Sequence, residues 1–136
     1  MIKNDAQRVR TQVQIDGFRQ AQAKFAETAK GKRAKALNDS YASMIEDLES
    51  QIQEYDQLKS GLYKLPVIER LDQVAPFIVR LRIAKGVSQT ALAKRLGVSK
   101  QVISRHEEEE YQSVSIARLQ EILDALAIKT QVRLTA

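Results

Sequence analysis

The residues with the clearest potential for chemistry are a run of cationic side chains in the second half of the sequence. Positions 80 to 105 hold seven Lys or Arg residues and no Asp or Glu, so 26 residues carry a formal charge of +7. Mixed charge is typical of an ordinary solvated surface, whereas charge of one sign over this length favours a polyanionic partner. The whole chain, of 136 residues, carries +5 and has a pI near 9.6. The chemistry that we expect is therefore recognition of a polyanion.

Catalytic chemistry finds little support in the same inventory. The sequence has no Cys and one His, which excludes disulfides and nearly every zinc arrangement, because such sites gather several soft or imidazole ligands. It has no Gly-rich phosphate loop and no nucleophile elbow. We expect no enzyme activity, no cofactor and no metal site.

Four short helical patterns must position the cationic run, over residues 76–127. Asp72 is predicted to cap the first helix, whose opening turn tolerates Pro76. Gly86 and Gly97 are predicted to end the first and second helices. Ser residues at suitable positions are predicted to cap the other three, namely Ser88, Ser99 and Ser115.

The third of these helices has the facial pattern of a DNA-reading helix. At 100° per residue, Gln101, Ser104 and Arg105 share one face while Ile103 points the other way into a core. Lys100 lies at the amino-terminal tip, where it would reach first into a major groove. Arg or Lys can pair with guanine and Gln with adenine. The predicted base-reading residues are therefore Lys100, Gln101, Ser104 and Arg105. Phosphate contacts are predicted for a second set, namely Gln89, Lys94, Arg95 and Ser99.

The order of residues through this region carries a resemblance to a known family. Small Ala91 and Ala93 suit a close helix crossing, Gly97 suits a tight turn, and Val98 would fill the corner. The sequence from 76 to 127 resembles the Xre family of lambda-repressor-like helix-turn-helix regulators. The matching positions are Ser88, Gln89, Leu92, Ala93, Leu96 to Ser99, Ile103, Ser104 and Glu107.

The resemblance has three implications. It implies a four-helix domain that binds double-stranded DNA, and a structural ion pair between Arg82 and Glu107. It also implies a role as a regulator or as an antitoxin, since Xre-type proteins serve as both. The chain departs from the family pattern after Glu107, where 108–111 reads Glu-Glu-Glu-Tyr in place of the frequent Gly.

The first sixty residues read as an antiparallel helical hairpin. Residues 5–30 and 37–62 have helical spacing, and residues 30–32 (Lys-Gly-Lys) form the predicted turn. Residues 1 to 35 carry nine bases and three acids, while residues 36 to 60 carry one base and six acids, which favours an antiparallel pair. The second helix offers a narrow apolar seam of coiled-coil type. Its members are Leu37, Tyr41, Met44, Leu48, Tyr55, Leu58 and Leu62, with Gln51 as a polar gap.

The carboxyl-terminal segment 128–134 alternates apolar or β-branched residues with polar ones, which predicts a half-buried strand. The predicted fold class is thus all-α, with an N-terminal antiparallel helical hairpin (1–60), a linker (61–75), a four-helix lambda-repressor-like helix-turn-helix domain (76–127) and a short C-terminal β-strand (128–136). A strand at 128–134 would need a partner, such as the same strand of a second subunit.

Two functions follow from this organisation. The first is a cytoplasmic repressor that binds an inverted-repeat operator as a homodimer, with the hairpin as the larger interface and the strand as the smaller. The alternative is an antitoxin that neutralises a toxin protein through the hairpin and represses its own operon. Membrane binding by the basic first helix is less favoured, since its partner helix can bury the two Phe. RNA is less favoured than duplex DNA because the few aromatic residues form no stacking platform.

Overall fold

The computed structural model describes residues 1–28 and 30–136, which form two compact units, Met1–Gln57 and Leu58–Ala136. The first unit is built from α1 (Asp5–Thr28) and most of α2 (Lys32–Lys59). The second holds a single 3₁₀ turn (Leu71–Gln73) and four short helices. These are α3 (Val74–Ala84), α4 (Gln89–Leu96), α5 (Lys100–Glu108) and α6 (Ile116–Ala125).

The first unit is an antiparallel hairpin. Near its open end, the Tyr55 hydroxyl donates to Asp5 Oδ1 at 2.7 Å, and Arg8 donates to both carboxylate oxygens of Asp56 at 2.6 and 2.7 Å. Further along, the rings of Phe18 and Tyr41 lie 5.8 Å apart. Residues near the start of α1 thus contact residues near the end of α2, as expected for two antiparallel helices.

Helix α1 begins with a cap that the sequence analysis missed. The Asn4 side-chain oxygen accepts from the backbone N–H of Gln7 at 2.8 Å, and the Gln7 side-chain oxygen accepts from the N–H of Lys3 at 2.8 Å. This reciprocal pair is of the capping-box kind, and it satisfies backbone donors that the first helical turn leaves without intrahelical partners.

The apolar seam of α2 differs in register from the prediction. Its buried residues include Ile45 and Ile52, while Leu37 and Met44 remain 40% and 41% exposed. The repeat 41, 45, 48, 52, 55 shares three positions with the predicted repeat, but it places Ile at 52 on the seam and moves Gln51 to its edge. Burying an unpaired amide costs free energy, so the register that buries Ile45 and Ile52 is favoured over the one that would bury Gln51. Leu62 lies beyond the helix and is exposed.

Caps of the expected kind begin three helices of the second unit. The Ser88, Ser99 and Ser115 hydroxyl oxygens accept backbone N–H bonds at 3.0, 3.4 and 3.1 Å, each from the residue three positions later. Gly86 and Gly97 both have a positive φ, near 67°, and follow the ends of α3 and α4 as predicted.

The predicted cap at Asp72 is wrong. A 3₁₀ turn precedes α3, and the residue at its N-cap position, Gln73, makes no side-chain cap bond. The Asp72 carboxylate instead accepts two hydrogen bonds from Arg70, at 3.1 and 2.8 Å. A charge-assisted bidentate pair is stronger than a single bond to a backbone amide, so the neighbouring Arg captures this carboxylate.

The predicted C-terminal strand is also wrong. The described residues contain no strand, and Leu134 in the segment 128–134 is 92% exposed. After α6, Ala127 adopts a φ of 55° and the N–H of Ile128 donates to the carbonyl of Leu123 at 2.9 Å, which ends the helix and buries Ile128. An alternating pattern of side chains forms a strand only where a neighbouring strand provides backbone hydrogen bonds. The described residues provide no such neighbour for 128–134.

The core of the second unit joins all four of its helices. Apolar side chains from each helix are at most 1% exposed, namely Ile78, Leu92, Ile103, Ile122 and Leu126. The Leu126 side chain follows directly after α6. This core holds the short helices in place, since none of them is long enough to be stable alone. None of the described helices has the length and apolar character that a membrane span needs.

Candidate nucleic-acid interface

The turn between α4 and α5 sets the geometry of the site. Gly97 adopts a φ of 68° at the end of α4, and the N–H of Val98 donates to the carbonyl of Ala93 at 3.0 Å. Two residues after Gly97, Ser99 caps α5. The chain thus leaves one helix and enters the next within three residues, which is the compact connection that a helix-turn-helix requires.

Helix α5 separates an apolar inner face from a polar outer face. Ile103 is 1% exposed, whereas Lys100, Gln101 and Arg105 are exposed and Ser104 is half-buried. The four predicted base-reading residues therefore lie on one nine-residue helix, and the three long side chains among them are free to reach outward. Their donors and acceptors match the patterns that base edges present in the major groove.

The predicted phosphate-binding residues fall into two groups. Lys94 and Ser99 are exposed and flank the turn. Arg95 is also exposed, but its Nη1 donates to the carbonyl of Ala125 at 2.7 Å, which satisfies a backbone acceptor at the end of α6. Arg95 therefore already acts as a link between α4 and α6.

Gln89 differs most from its predicted role as a phosphate ligand. Gln89 is buried, with 7% exposure, and its Nε2 donates to Glu107 Oε1 at 3.1 Å. A buried amide that is already paired has little to offer a phosphate. Its position at the start of α4 suggested an exposed donor, and the contact with a residue 18 positions later could not be seen in the local pattern.

Arg82 and Glu107 meet in the interior of the second unit. The Arg82 Nε lies 2.9 and 3.0 Å from the two Glu107 oxygens, and its Nη2 lies 2.5 Å from Oε1. The two side chains are 3% and 0% exposed. Arg82 Nη1 also donates to the carbonyl of Val87 at 2.9 Å. With Gln89, this network links α3, α4 and α5 beneath the exposed face of α5.

The loop after α5, where the sequence departs from the family pattern, buries a large aromatic residue. Glu110 and Tyr111 have φ values of 53° and 58°, a conformation that non-Gly residues adopt at a cost. Tyr111 is nevertheless fully buried, with its ring 5.8 Å from that of His106. Burial, together with the nearby Glu107 carboxylate, raises the pKa of the Tyr111 phenol above its ordinary value. One local signal in the sequence could have indicated this burial, namely an aromatic residue directly after a run of four acids.

The comparisons with known proteins agree with this geometry. A helix-turn-helix family model matches residues 78–132, less than half of the chain, and the matched segment includes α4, α5 and α6 in full. Comparisons with curated proteins and with solved structures found no match. Among the described residues, no three or more His, Cys, Asp or Glu side chains are grouped to hold a metal ion. We conclude that residues 78–132 carry a helix-turn-helix domain of the kind with which transcription regulators bind double-stranded DNA.

Proposed function

We propose that this protein is a sequence-specific transcriptional repressor that binds an inverted-repeat operator as a homodimer. The observation that carries the proposal is the outer face of α5, where Lys100, Gln101 and Arg105 are exposed opposite the buried Ile103. A helix with long polar side chains on one face and an anchored apolar face is suited to the major groove.

The residues around α5 divide between reading and positioning. Gln101 and Arg105 would read adenine and guanine, and Lys100 would reach a base edge or phosphate at the helix tip. Lys94 and Ser99 would hold phosphates beside the turn, which fixes the register without reading sequence. Arg82 and Glu107 would keep the angle between the helices, which leaves them a structural role.

A homodimer is proposed because one nine-residue recognition helix covers too few base pairs to select a site in a genome. The hairpin supports self-association. Val9 and Val13 on α1 are 59% and 65% exposed, and Leu37 and Met44 flank the seam of α2. Exposed apolar side chains of this kind have no use for DNA phosphates, and they favour a protein interface. Light scattering of the full chain tests this point, and a monomer at micromolar concentration would contradict it.

Substitutions on α5 test whether it reads sequence. Gln101→Ala and Arg105→Ala should each weaken binding to a selected site by about 1 to 3 kcal/mol while leaving binding to a scrambled duplex nearly unchanged. Gln53→Ala, at an exposed position of α2, is the matched control and should change neither. Lys94→Ala should weaken both duplexes alike. Equal losses on both duplexes for Gln101→Ala and Arg105→Ala would refute sequence reading by α5.

The exposed apolar residues of the hairpin also support the alternative function. If Val9 and Val13 contact a second protein, the chain would act as an antitoxin that neutralises a toxin and represses its own operon. Affinity purification of the full chain from its host distinguishes the two proposals. A stoichiometric second polypeptide that is lost with Val9→Asn/Val13→Asn favours the antitoxin, and a homodimer without such a polypeptide favours the repressor.

A further inference from the structure

We propose that the turn end of the N-terminal hairpin is a second DNA-binding surface, which contacts the phosphate backbone and reads no sequence. Its residues, which we call the tip cluster, are Lys24, Lys30, Lys32, Arg33 and Lys35. The proposal rests on the proposed DNA-binding function and extends it to the unit that the helix-turn-helix model does not match.

Charge is concentrated strongly at this end of the hairpin. Residues 24–35 hold the five bases of the tip cluster and one acid, Glu27, and all five basic side chains are exposed. Residues 36–57, by contrast, hold six acids and no base. The hairpin therefore has a cationic end, and its opposite charges are not mixed evenly along its length.

The ion pairs of the hairpin leave the tip cluster out. Arg8 pairs with Asp56, and Arg19 pairs with Glu49, so bases in the body of α1 meet acids on α2. The Arg8 hydrogen bonds hold the pKa of the Asp56 carboxyl below its ordinary value. Among the described residues, no ion pair joins any member of the tip cluster to an acid.

The stability of the hairpin does not explain these charges. Helix α2 begins at Lys32, and its first turn holds three bases and no acid. The positive end of the helix dipole disfavours cations there, and close like charges repel. A sequence shaped only by hairpin folding would favour Asp or Glu at these positions. The observed bases therefore indicate a polyanion that neutralises them.

The chemistry of the tip cluster favours DNA phosphates over an acidic protein. Among the described residues between Val13 and Leu37, no large apolar side chain is strongly exposed, so the surface lacks the apolar anchors of protein interfaces. Four of its five bases are Lys, which bind phosphate as point charges and lack the planar guanidinium fork of Arg. Phosphate binding without base reading fits this composition.

The tip cluster and α5 belong to different compact units of the chain. A nine-residue recognition helix covers only a few base pairs. We infer that the tip cluster contacts phosphates outside those few base pairs, so its contribution should depend on duplex length.

The test compares two variants of the full chain with equal charge change. Lys32→Gln/Arg33→Gln removes two charges from the tip cluster, and the matched control Lys129→Gln/Arg133→Gln removes one Lys and one Arg from the exposed C-terminal tail. Binding is measured by fluorescence anisotropy on random-sequence duplexes of about 12 and about 60 bp, as a function of salt. The affinity of each variant is divided by that of the unsubstituted protein on the same duplex, because the longer duplex offers more binding sites to every protein.

On the long duplex, the tip variant should lose affinity on the order of tenfold or more at about 0.1 M salt. Its slope of log K against log salt should fall in magnitude by about 1.8, because each phosphate contact contributes about 0.9. The short duplex should show little change, and the tail control should show no loss that depends on duplex length. An unchanged slope of the tip variant on the long duplex would overturn the proposal.

A second variant separates DNA binding from folding. Lys32→Glu/Arg33→Glu places acids at the positive end of α2, so its Tm should rise while its affinity for the long duplex falls below that of the Gln variant. A damaged hairpin would lower both. If the tip variants lose binding to anionic phosphatidylserine vesicles or to an acidic protein but keep full binding to long DNA, the cluster serves another partner and the proposal is wrong. Failure of α5 to discriminate sites would appear separately, in the Gln101→Ala experiment.

Discussion

The buried pair of Arg82 and Glu107 allows the most specific stability prediction. In Arg82→Ala, Glu107 loses all its hydrogen bonds from the guanidinium and keeps the bond that Gln89 Nε2 donates to it. Both side chains are almost fully buried, so the remaining carboxylate stays in a poorly solvated site. Removal of one partner of such a pair costs about 3 to 5 kcal/mol. For a domain the size of the second unit, each loss of about 1 kcal/mol in the free energy of unfolding lowers Tm by about 4 to 8 °C. A loss of about 3 kcal/mol should therefore lower Tm by at least about 12 °C.

Thermal and urea denaturation followed by circular dichroism measure this loss. The double substitution Arg82→Met/Glu107→Leu replaces the pair with apolar groups and should recover much of the stability, because it leaves no charge unpaired. Arg70→Ala breaks an exposed pair with Asp72 and serves as the control, with little expected change in Tm. If Arg82→Ala keeps its Tm but loses DNA affinity at a temperature where it is folded, the assignment of Arg82 to the structural network is wrong.

Two further predictions concern the loop after α5 and the helix that follows it. Since burial raises the pKa of Tyr111, ionisation of the phenol favours the unfolded chain, so the free energy of unfolding should be constant below about pH 10 and should fall as the pH rises from there through the folded-state pKa. Tyr111→Phe should reduce the loss of stability above pH 10, as measured by urea denaturation from pH 7 to 12, and an unchanged alkaline profile would show that Tyr111 does not control it. It should also stabilise the protein by about 1 kcal/mol at neutral pH, because the buried hydroxyl has no hydrogen-bond partner among the described residues. Ser115→Ala removes the cap of α6 and should cost about 1 kcal/mol, whereas the exposed Ser113→Ala should cost less; equal effects would argue against the cap.

The parts of the fold that the sequence predicted are those that local chemistry determines. Ser88, Ser99 and Ser115 bond to amides three residues away, and Gly97 supplies a positive φ within its own backbone. Such features depend on neighbours in the chain and are visible in the sequence. The opposition of Ile103 to the polar residues of α5 follows in the same way from helical rotation.

The features that sequence reasoning did not reveal depend on competition or on distant partners. Asp72 had a closer partner in Arg70, and the seam of α2 had two overlapping registers that differ in whether Gln51 lies on it. The pairing of Gln89 with Glu107 joins residues on different helices, so a position suited to phosphate binding became part of the core network. The tail alternates like a strand, but alternation does not supply a partner strand. Tyr111 is buried at a positive φ that no local rule would assign to Tyr.

Selection of bound sites from a random-sequence duplex library by the full-length protein tests the central claim most directly. If α5 reads DNA as proposed, sequencing of the retained duplexes should reveal an enriched inverted repeat with half-site centres about one helical turn, or a multiple of it, apart. The same selection with Gln101→Ala/Arg105→Ala should lose that enrichment while still retaining DNA through phosphate contacts. Retained duplexes without any enriched sequence, or the same enriched site for both proteins, would contradict the account.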